Sequence, residues 1–266
     1  MDATVNRIDT VLADQPPGLW PFLPAGYPDL ETTAAFLKAL DALPIRGVEL
    51  GIPFSDPIAD GPVIQRAFSA ALSDGLKLRD VFAMVSALRG EVRYPLLAMV
   101  SASIVYCIGI EAFVSHASGA GFDGLIVPDI SLEEAPRLAE ATGGAGLRLS
   151  MLIAPTTPID RRERIADVSS GFLYYVSVQG TTGARASLPA DLKTNVCELK
   201  DATGSPVLVG FGISSVAQVR EVCRYADGAI AGSAIVRRIT ELCESGRRGP
   251  DMVTEVTAFI RELAEM

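Results

Sequence analysis

Histidine is almost missing from this chain of 266 residues, which has only His116. That scarcity excludes a His-rich metal site and any Ser-His-Asp arrangement that does not use His116. His116 falls in a helical stretch, 110–120, beside Ser115 and Ser118, where a surface or capping role is expected. Cysteine is sparse as well. Cys107, Cys197, Cys223 and Cys243 are scattered with no C-x-x-C pair, a pattern of reduced, mostly buried thiols rather than a disulfide framework or a zinc site. Positive charge is in short supply, with 23 Lys and Arg against 32 Asp and Glu and a net charge of −9. An acidic chain without a basic run repels nucleic acid and anionic lipid, so neither is an expected partner. Small anions stay open, because backbone N–H groups bind phosphate without net positive charge. The most apolar stretch, 95–110, is too short for a membrane span and is interrupted by Ser101 and Ser103. The opening Met1-Asp-Ala-Thr-Val-Asn-Arg lacks a charged-then-apolar secretory pattern. A soluble, cytoplasmic protein is expected.

What the chain has is apolar residues, 49 % of the total, which is enough for a large core. They come as short β-branched runs that alternate with amphipathic helical stretches. Strands are predicted at 20–23, 45–50, 96–100, 124–127, 148–152, 172–176, 207–209 and 228–230. Helical patterns lie between them at 30–42, 63–72, 78–88, 110–120, 132–141, 160–167, 190–200, 214–225 and 234–244. Asp160 before Arg161, and Ser214-Ser215 before Val216, read as N-caps. Continuous apolar strands alternating with helices imply a parallel sheet, and eight of them imply an α/β fold of the closed (β/α)8 TIM barrel kind. The flanks, 5–12 and 251–265, read as extra N- and C-terminal helices covering the barrel ends. No Pro/Ser-rich linker divides the chain, so 1–266 reads as a single barrel domain.

The most informative segment is Val48-Glu49-Leu50 and the loop Gly51-Ile-Pro-Phe-Ser-Asp-Pro-Ile-Ala-Asp-Gly-Pro62. Glu49 interrupts an apolar strand, and an ionisable group taken out of water costs several kcal/mol unless it is paired or neutralised. The loop adds Asp60, with Asp56 in reach, and its three prolines and two glycines stiffen it. Alternation points Gly47 and Glu49 to one side of the strand and Val48 and Leu50 to the other. If the glycine faces the crowded barrel interior, Glu49 does too. Two carboxyls converging in an apolar pocket form a candidate acid/base pair. A proline-rich turn carrying solvated acids is the plainer alternative.

The seventh strand runs into Gly210-Phe-Gly-Ile213, and the eighth into Ala231-Gly-Ser-Ala-Ile-Val236. Barrels commonly build a phosphate site from these two loops. Glycine admits a close ligand, the first N–H groups of a helix point at an anion, and Ser233 adds a hydroxyl. A dinucleotide fingerprint would need a third glycine, which is absent. Ordinary turn glycines are the other reading. After strand six the polar, small-residue segment 177–189 has the composition of a lid, and Gly183 is in reach of the same phosphate. Tyr174 and Tyr175 alternate, so one faces the pocket and the other the helix layer.

Together these residues resemble the tryptophan synthase alpha chain family over almost the whole chain. The acid followed by Gly-hydrophobic-Pro-Phe-Ser-Asp-Pro-x-Ala-Asp-Gly-Pro-x-Ile-Gln is met without a gap from Glu49 to Gln65. The Gly-Phe-Gly-Ile and Gly-Ser-Ala-Ile-Val turns, Ile126-Val-Pro-Asp129, Thr182-Gly183 and Pro21-Phe-Leu-Pro-Ala-Gly-Tyr-Pro28 agree with the family's pattern too. The resemblance implies a lyase that splits indole-3-glycerol phosphate into indole and glyceraldehyde 3-phosphate. Glu49 would be the principal acid/base and Asp60 its partner. Phe22 and Tyr174 would line the indole pocket, while Gly183, Gly212, Gly232 and Ser233 hold the phosphate. Asp56 and Thr182 would close the lid onto the catalytic loop. The implied partner is a tryptophan synthase beta chain, in an alpha2beta2 heterotetramer. No metal or organic cofactor is implied, the family's pyridoxal phosphate belonging to the beta chain.

The sequence departs from that pattern after strand three. Val100-Ser-Ala-Ser103 stands where many members carry an aromatic-Asn pair, in a region that contacts substrate and beta chain. Pro24 replaces a frequent Thr, and Val178-Gln179 an Arg found in some lids. A lyase that works without a beta chain, and another sugar-phosphate barrel enzyme of the same pathway, remain alternatives. A scaffold role would give no reason for Glu49 and Asp60 at this spacing.

Overall fold

Nine short parallel strands form one sheet in the computed structural model, which describes residues 5–56, 60–176, 188–210 and 212–265. They are β1 (Gly18–Pro24), β2 (Val48–Gly51), β3 (Leu96–Met99), β4 (Gly124–Ile126), β5 (Arg148–Ser150), β6 (Leu152–Ile153), β7 (Leu173–Val176), β8 (Val207–Gly210) and β9 (Gly228–Ala231). The spatial order β5-β4-β3-β2-β1-β9-β8-β7-β6 begins and ends on segments adjacent in sequence. All eight expected strands are present. The fifth is divided at Met151, so that β5 pairs with β4 and β6 with β7. The Tyr174 N–H donates to the Met151 carbonyl at 2.9 Å, which carries the ladder across the break. One strand therefore serves two neighbours in succession, and the ring closes along it.

The helices flanking this ring are α1 (Arg7–Asp14), α2 (Leu30–Leu40), α3 (Pro62–Ser73), α4 (Leu78–Leu88), α5 (Ala102–Ile108), α6 (Ile110–Ala120), α7 (Ala135–Gly144), α8 (Ile159–Val168), α9 (Leu192–Thr203), α10 (Val216–Val222), α11 (Ser233–Glu244) and α12 (Gly249–Ala264). Strand alternation divides the apolar side chains into two cores. Leu19, Leu23, Val48, Leu50, Ala98, Leu125, Tyr175 and Val209 face the helix layer. Trp20, Phe22, Leu97, Met99, Ile126, Phe172, Tyr174, Leu208 and Ile230 fill the barrel. Tyr174 thus faces inward and Tyr175 outward. Gly47 lies against the inner core, where a Cβ would come within 2.0 Å of the Trp20 ring.

Four expectations need correction. Pro158, not Asp160, occupies the N-cap of α8, and Asp160 sits in its first turn, where a negative charge suits the helix dipole. The C-terminal helix α12 covers no barrel end; it joins the outer layer against α2, α10 and α11. The segment 102–108, read as part of an apolar run broken by serines, is the helix α5, with Ser101 as its N-cap. The cysteines are all free but none is fully buried, and Cys107 is exposed. Ser215 caps α10 as expected, accepting from the Gln218 N–H. His116 is exposed on α6, its ring 6.1 Å from that of Phe82.

The N-terminal helix does cover an end. Asn6 caps α1 by accepting from the Ile8 N–H at 2.9 Å, and its amide donates to the carbonyls of Asp123 and Gly146. Ile8 is wholly buried in the inner core. Asp123, at the N-terminal end of β4, binds Arg7, Arg89 and the Leu96 N–H at 3.0, 2.8 and 2.8 Å. With this end sealed, the C-terminal ends of the strands are left for chemistry.

Candidate active site

Glu49 occupies the middle of β2, paired in register with Phe22 on β1 and Leu97 on β3. It is 1 % exposed, and neither carboxyl oxygen has a hydrogen-bond partner among the described residues. An unpaired carboxyl in this setting resists ionisation. Burial, helped by the charge of Asp60, pushes the Glu49 pKa from 4.5 up to about 8. Asp60 comes from the loop after β2, just ahead of Gly61, the N-cap of α3, and Pro62, its first residue. Proline fits the first helical position, where its missing N–H costs nothing. The Gln65 amide, one turn on, donates to the Asp60 carbonyl at 2.8 Å and fixes the loop to the helix. Asp60 is also buried, and desolvation alone lifts its pKa to about 6.

Both carboxyls line one cavity in the barrel mouth, with Phe22, Ile64, Met99, Tyr174, Gly212, Ile230, Gly232 and Ser233. The Tyr174 phenol is held well above its usual pKa by burial and by the charges of Glu49 and Asp60, so it stays protonated. Ser233 opens α11 and Gly232 is its N-cap, which points a helix N-terminus at the cavity from the side opposite β3. Gly212 has φ +87°, a left-handed conformation that favours glycine. A cavity with two high-pKa carboxyls at one end and backbone donors at the other suits proton transfer on a substrate carrying an anion.

Of the residues read from the sequence, Phe22, Glu49, Asp60, Tyr174, Gly212, Gly232 and Ser233 meet around this one cavity. Gly183 and Thr182 lie outside the described residues, as do Phe211 and the segment 177–187. Asp56 does not reach the cavity. It is exposed, accepts from the Ser55 hydroxyl at 2.7 Å, and lines a second cavity. That neighbour shares Asp60 and Met99 with the first and continues to Ile52, Phe54, Phe68, Val100, Ser101, Pro128 and Asp129. Ser101 and Asp129 are tied together there: the Ser101 hydroxyl donates to one Asp129 oxygen at 2.7 Å, the Ala102 N–H to the other at 2.8 Å.

Gly210 differs from its expected place in a phosphate turn. It ends β8, and a Cβ there would fall 2.3 Å from the Tyr174 hydroxyl oxygen, so this glycine makes room for the tyrosine. Sequence reading missed Ile64, Met99 and Ile230 as cavity walls, because each looks like any other core residue in an apolar run. Alternation gave one usable signal, since Met99 shares the inward face with Leu97. Among the described residues no group of three or more His, Cys, Asp and Glu is placed to hold a metal ion. No helix among them is long and apolar enough to cross a membrane.

The barrel with a buried carboxyl pair in its mouth places the chain in the (β/α)8 class. Comparison with known proteins is more specific. Residues 9–266 match the family model described as tryptophan synthase alpha chain. The tryptophan synthase alpha chain of Prochlorococcus marinus (strain NATL2A) is 46 % identical over 246 residues, 92 % of this chain and 89 % of its own. That of Synechococcus sp. (strain CC9902) is 48 % identical over 222 residues, 83 % of this chain and 82 % of its own. In the tryptophan synthase a2b2 complex of Pyrococcus furiosus, a solved chain superposes with a TM-score of 0.85 at 36 % identity, covering 92 % of this chain and 97 % of that one. The chain belongs to the tryptophan synthase alpha chain family and is an enzyme of the lyase class.

Proposed function

We propose that this protein cleaves indole-3-glycerol phosphate to indole and glyceraldehyde 3-phosphate, as the alpha component of a tryptophan synthase. The observation that carries this reading is the Glu49 carboxyl, buried without a partner on the wall it shares with Asp60. Indole is a poor carbanion leaving group, so the C–C bond breaks only after ring carbon C3 is protonated. Glu49, still protonated near neutral pH, donates that proton. Asp60, ionised above about pH 6, accepts a hydrogen bond from the ring N–H and stabilises the positive charge of the resulting indolenine. The Glu49 carboxylate then removes the proton of the side-chain hydroxyl. The aldehyde forms, the C–C bond breaks, and its electron pair restores the aromatic ring. Phe22 and Tyr174 flank the ring, and Gly212, Gly232 and Ser233, with Gly183 as in the family pattern, hold the phosphate. Thr182 and Asp56 would join lid to loop.

On this reading one barrel domain works in the cytoplasm with a beta chain, as in the alpha2beta2 assembly expected from the resemblance. The test is indole release from purified protein and indole-3-glycerol phosphate, with and without a beta chain. Glu49→Gln keeps the size of the side chain and removes its proton. Turnover should then fall by about 10² or more while substrate still binds. Near-normal turnover of that variant would overturn the assignment.

A further inference from the structure

The second cavity is lined by neither Glu49, Tyr174 nor the phosphate-side residues, yet Asp60 and Met99 are walls of both cavities. Its direction can be read from the barrel. The phosphate donors lie at the ends of β8 and β9, across the ring from β3, whereas this cavity is lined from the ends of β2, β3 and β4. A substrate with its phosphate on the Gly232 side and its ring N–H on Asp60 points its C3 tail away from β3. The opposite edge of the indole, carrying C6 and C7, then faces Met99 and the space beyond it.

We propose that this second cavity is a subsite for substituents on the C6–C7 edge of the indole, so that the enzyme accepts indole-3-glycerol phosphates enlarged there. The inference rests on the reaction proposed above. The walls that such a group would meet are mainly apolar: Phe54, Phe68, Met99 and Pro128. Met99 lines both spaces, and its unbranched thioether side chain adapts to different occupants. Ser101 explains why the space is open. It is a small residue at a position where an aromatic side chain would project into the cavity, and its hydroxyl is turned to Asp129 at 2.7 Å. The chemistry favoured is a small apolar group, such as a methyl, because no cationic side chain lines the cavity and Asp60 and Asp129 oppose an added negative charge.

The test compares 6-methylindole-3-glycerol phosphate with the unsubstituted substrate, by kcat/KM for indole release, in the wild-type chain and two variants. Wild type should handle the two within about threefold of each other, since a methyl entering existing apolar space costs little. Ser101→Phe fills the cavity and should lower the methyl-to-parent ratio at least about tenfold, the scale on which a filled pocket rejects one extra carbon. Ser101→Ala removes the α5 cap and the Asp129 contact but keeps the space, so its ratio should match wild type. A wild-type ratio already below about one tenth, or one indifferent to Ser101→Phe, overturns the subsite while leaving the reaction standing. Failure to release indole from the parent substrate overturns both.

Discussion

Glu49 and Asp60 differ by about two pH units in their protonation, near 8 against near 6, and that difference is what the proposed chemistry uses. The active form has Glu49 protonated and Asp60 ionised, so kcat/KM should follow a bell with limbs near pH 6 and pH 8 belonging to the pair. Asp60→Asn removes the charge that helps raise Glu49. Its residual activity should therefore lose the acidic limb, and the alkaline limb should move to lower pH. A profile flat from pH 5 to 9 would contradict both assignments. The same shift has a consequence for folding. A carboxyl whose folded pKa lies above its unfolded value binds more protons when folded, so Glu49 lowers stability as pH rises from about 4.5 to about 8. Glu49→Gln should lose less Tm than wild type between pH 5 and pH 8.5, and equal losses would show that Glu49 ionises freely. Glu49 was legible in the sequence because a carboxylate breaks an apolar strand pattern, and Asp60 because it sits in a loop stiffened by proline and glycine. Met99, Ile64 and Ile230 were not, because a hydrophobic side chain on a cavity wall has the same periodicity as one in the core.

Strand and helix order could be read because each element repeats the same apolar pattern. The exceptions have local causes. β5 and β6 divide at Met151 where the pairing changes from β4 to β7, and pairing partners leave no mark on a strand of five residues. α5 is only seven residues long and begins at Ser101, whose contacts with Asp129 come from 28 positions away. Gly210 was legible as a glycine but not for its purpose, which depends on the inward rotation of Tyr174 from the adjacent strand. Gly210→Ala should displace that ring and depress kcat/KM more than Gly143→Ala, at an exposed position of α7 with open space around it. Equal effects of the two substitutions on activity would remove this role. At the closed end, Asp123 faces Arg89, whose side chain is 11 % exposed, and it also holds α1 through Arg7. Asp123→Ala leaves the Arg89 guanidinium, among the described residues, with only the carbonyls of Val92 and Tyr94 as hydrogen-bond partners. Breaking one side of a buried pair costs about 3 kcal/mol, which urea unfolding should register. A loss below about 1 kcal/mol would mean that the network contributes little beyond a surface pair.

The open end of the barrel carries both the chemistry and the surface proposed for the beta chain. Among the described residues, four large hydrophobic side chains are exposed, and two of them, Tyr106 and Ile108, lie on α5, the short helix that follows β3, with the Tyr106 phenol near Glu134 and Asp129. Val5 and Ile159 lie apart, at the closed end and at the start of α8. An aromatic and an aliphatic side chain exposed together on one short helix after β3 suit a docking surface, where Tyr is enriched among the residues that dominate binding. A partner seated there would press on the Ser55–Asp56 stretch and on the Ser101–Asp129 bridge, and through them bias the position of Asp60. Binding of that kind raises activity by shifting the population toward the competent arrangement. A mixture of this chain with its cognate beta chain should run as a larger species in sizing measurements and release indole faster than the chain alone. Ile108→Asp places a charge in that contact and should weaken the complex by about 30-fold or more. Because the side chain is solvent-exposed, the isolated variant should keep the Tm and the unassisted turnover of wild type. An undiminished complex would move the interface off α5, and a chain that stays alone at full activity would favour a lyase that needs no partner.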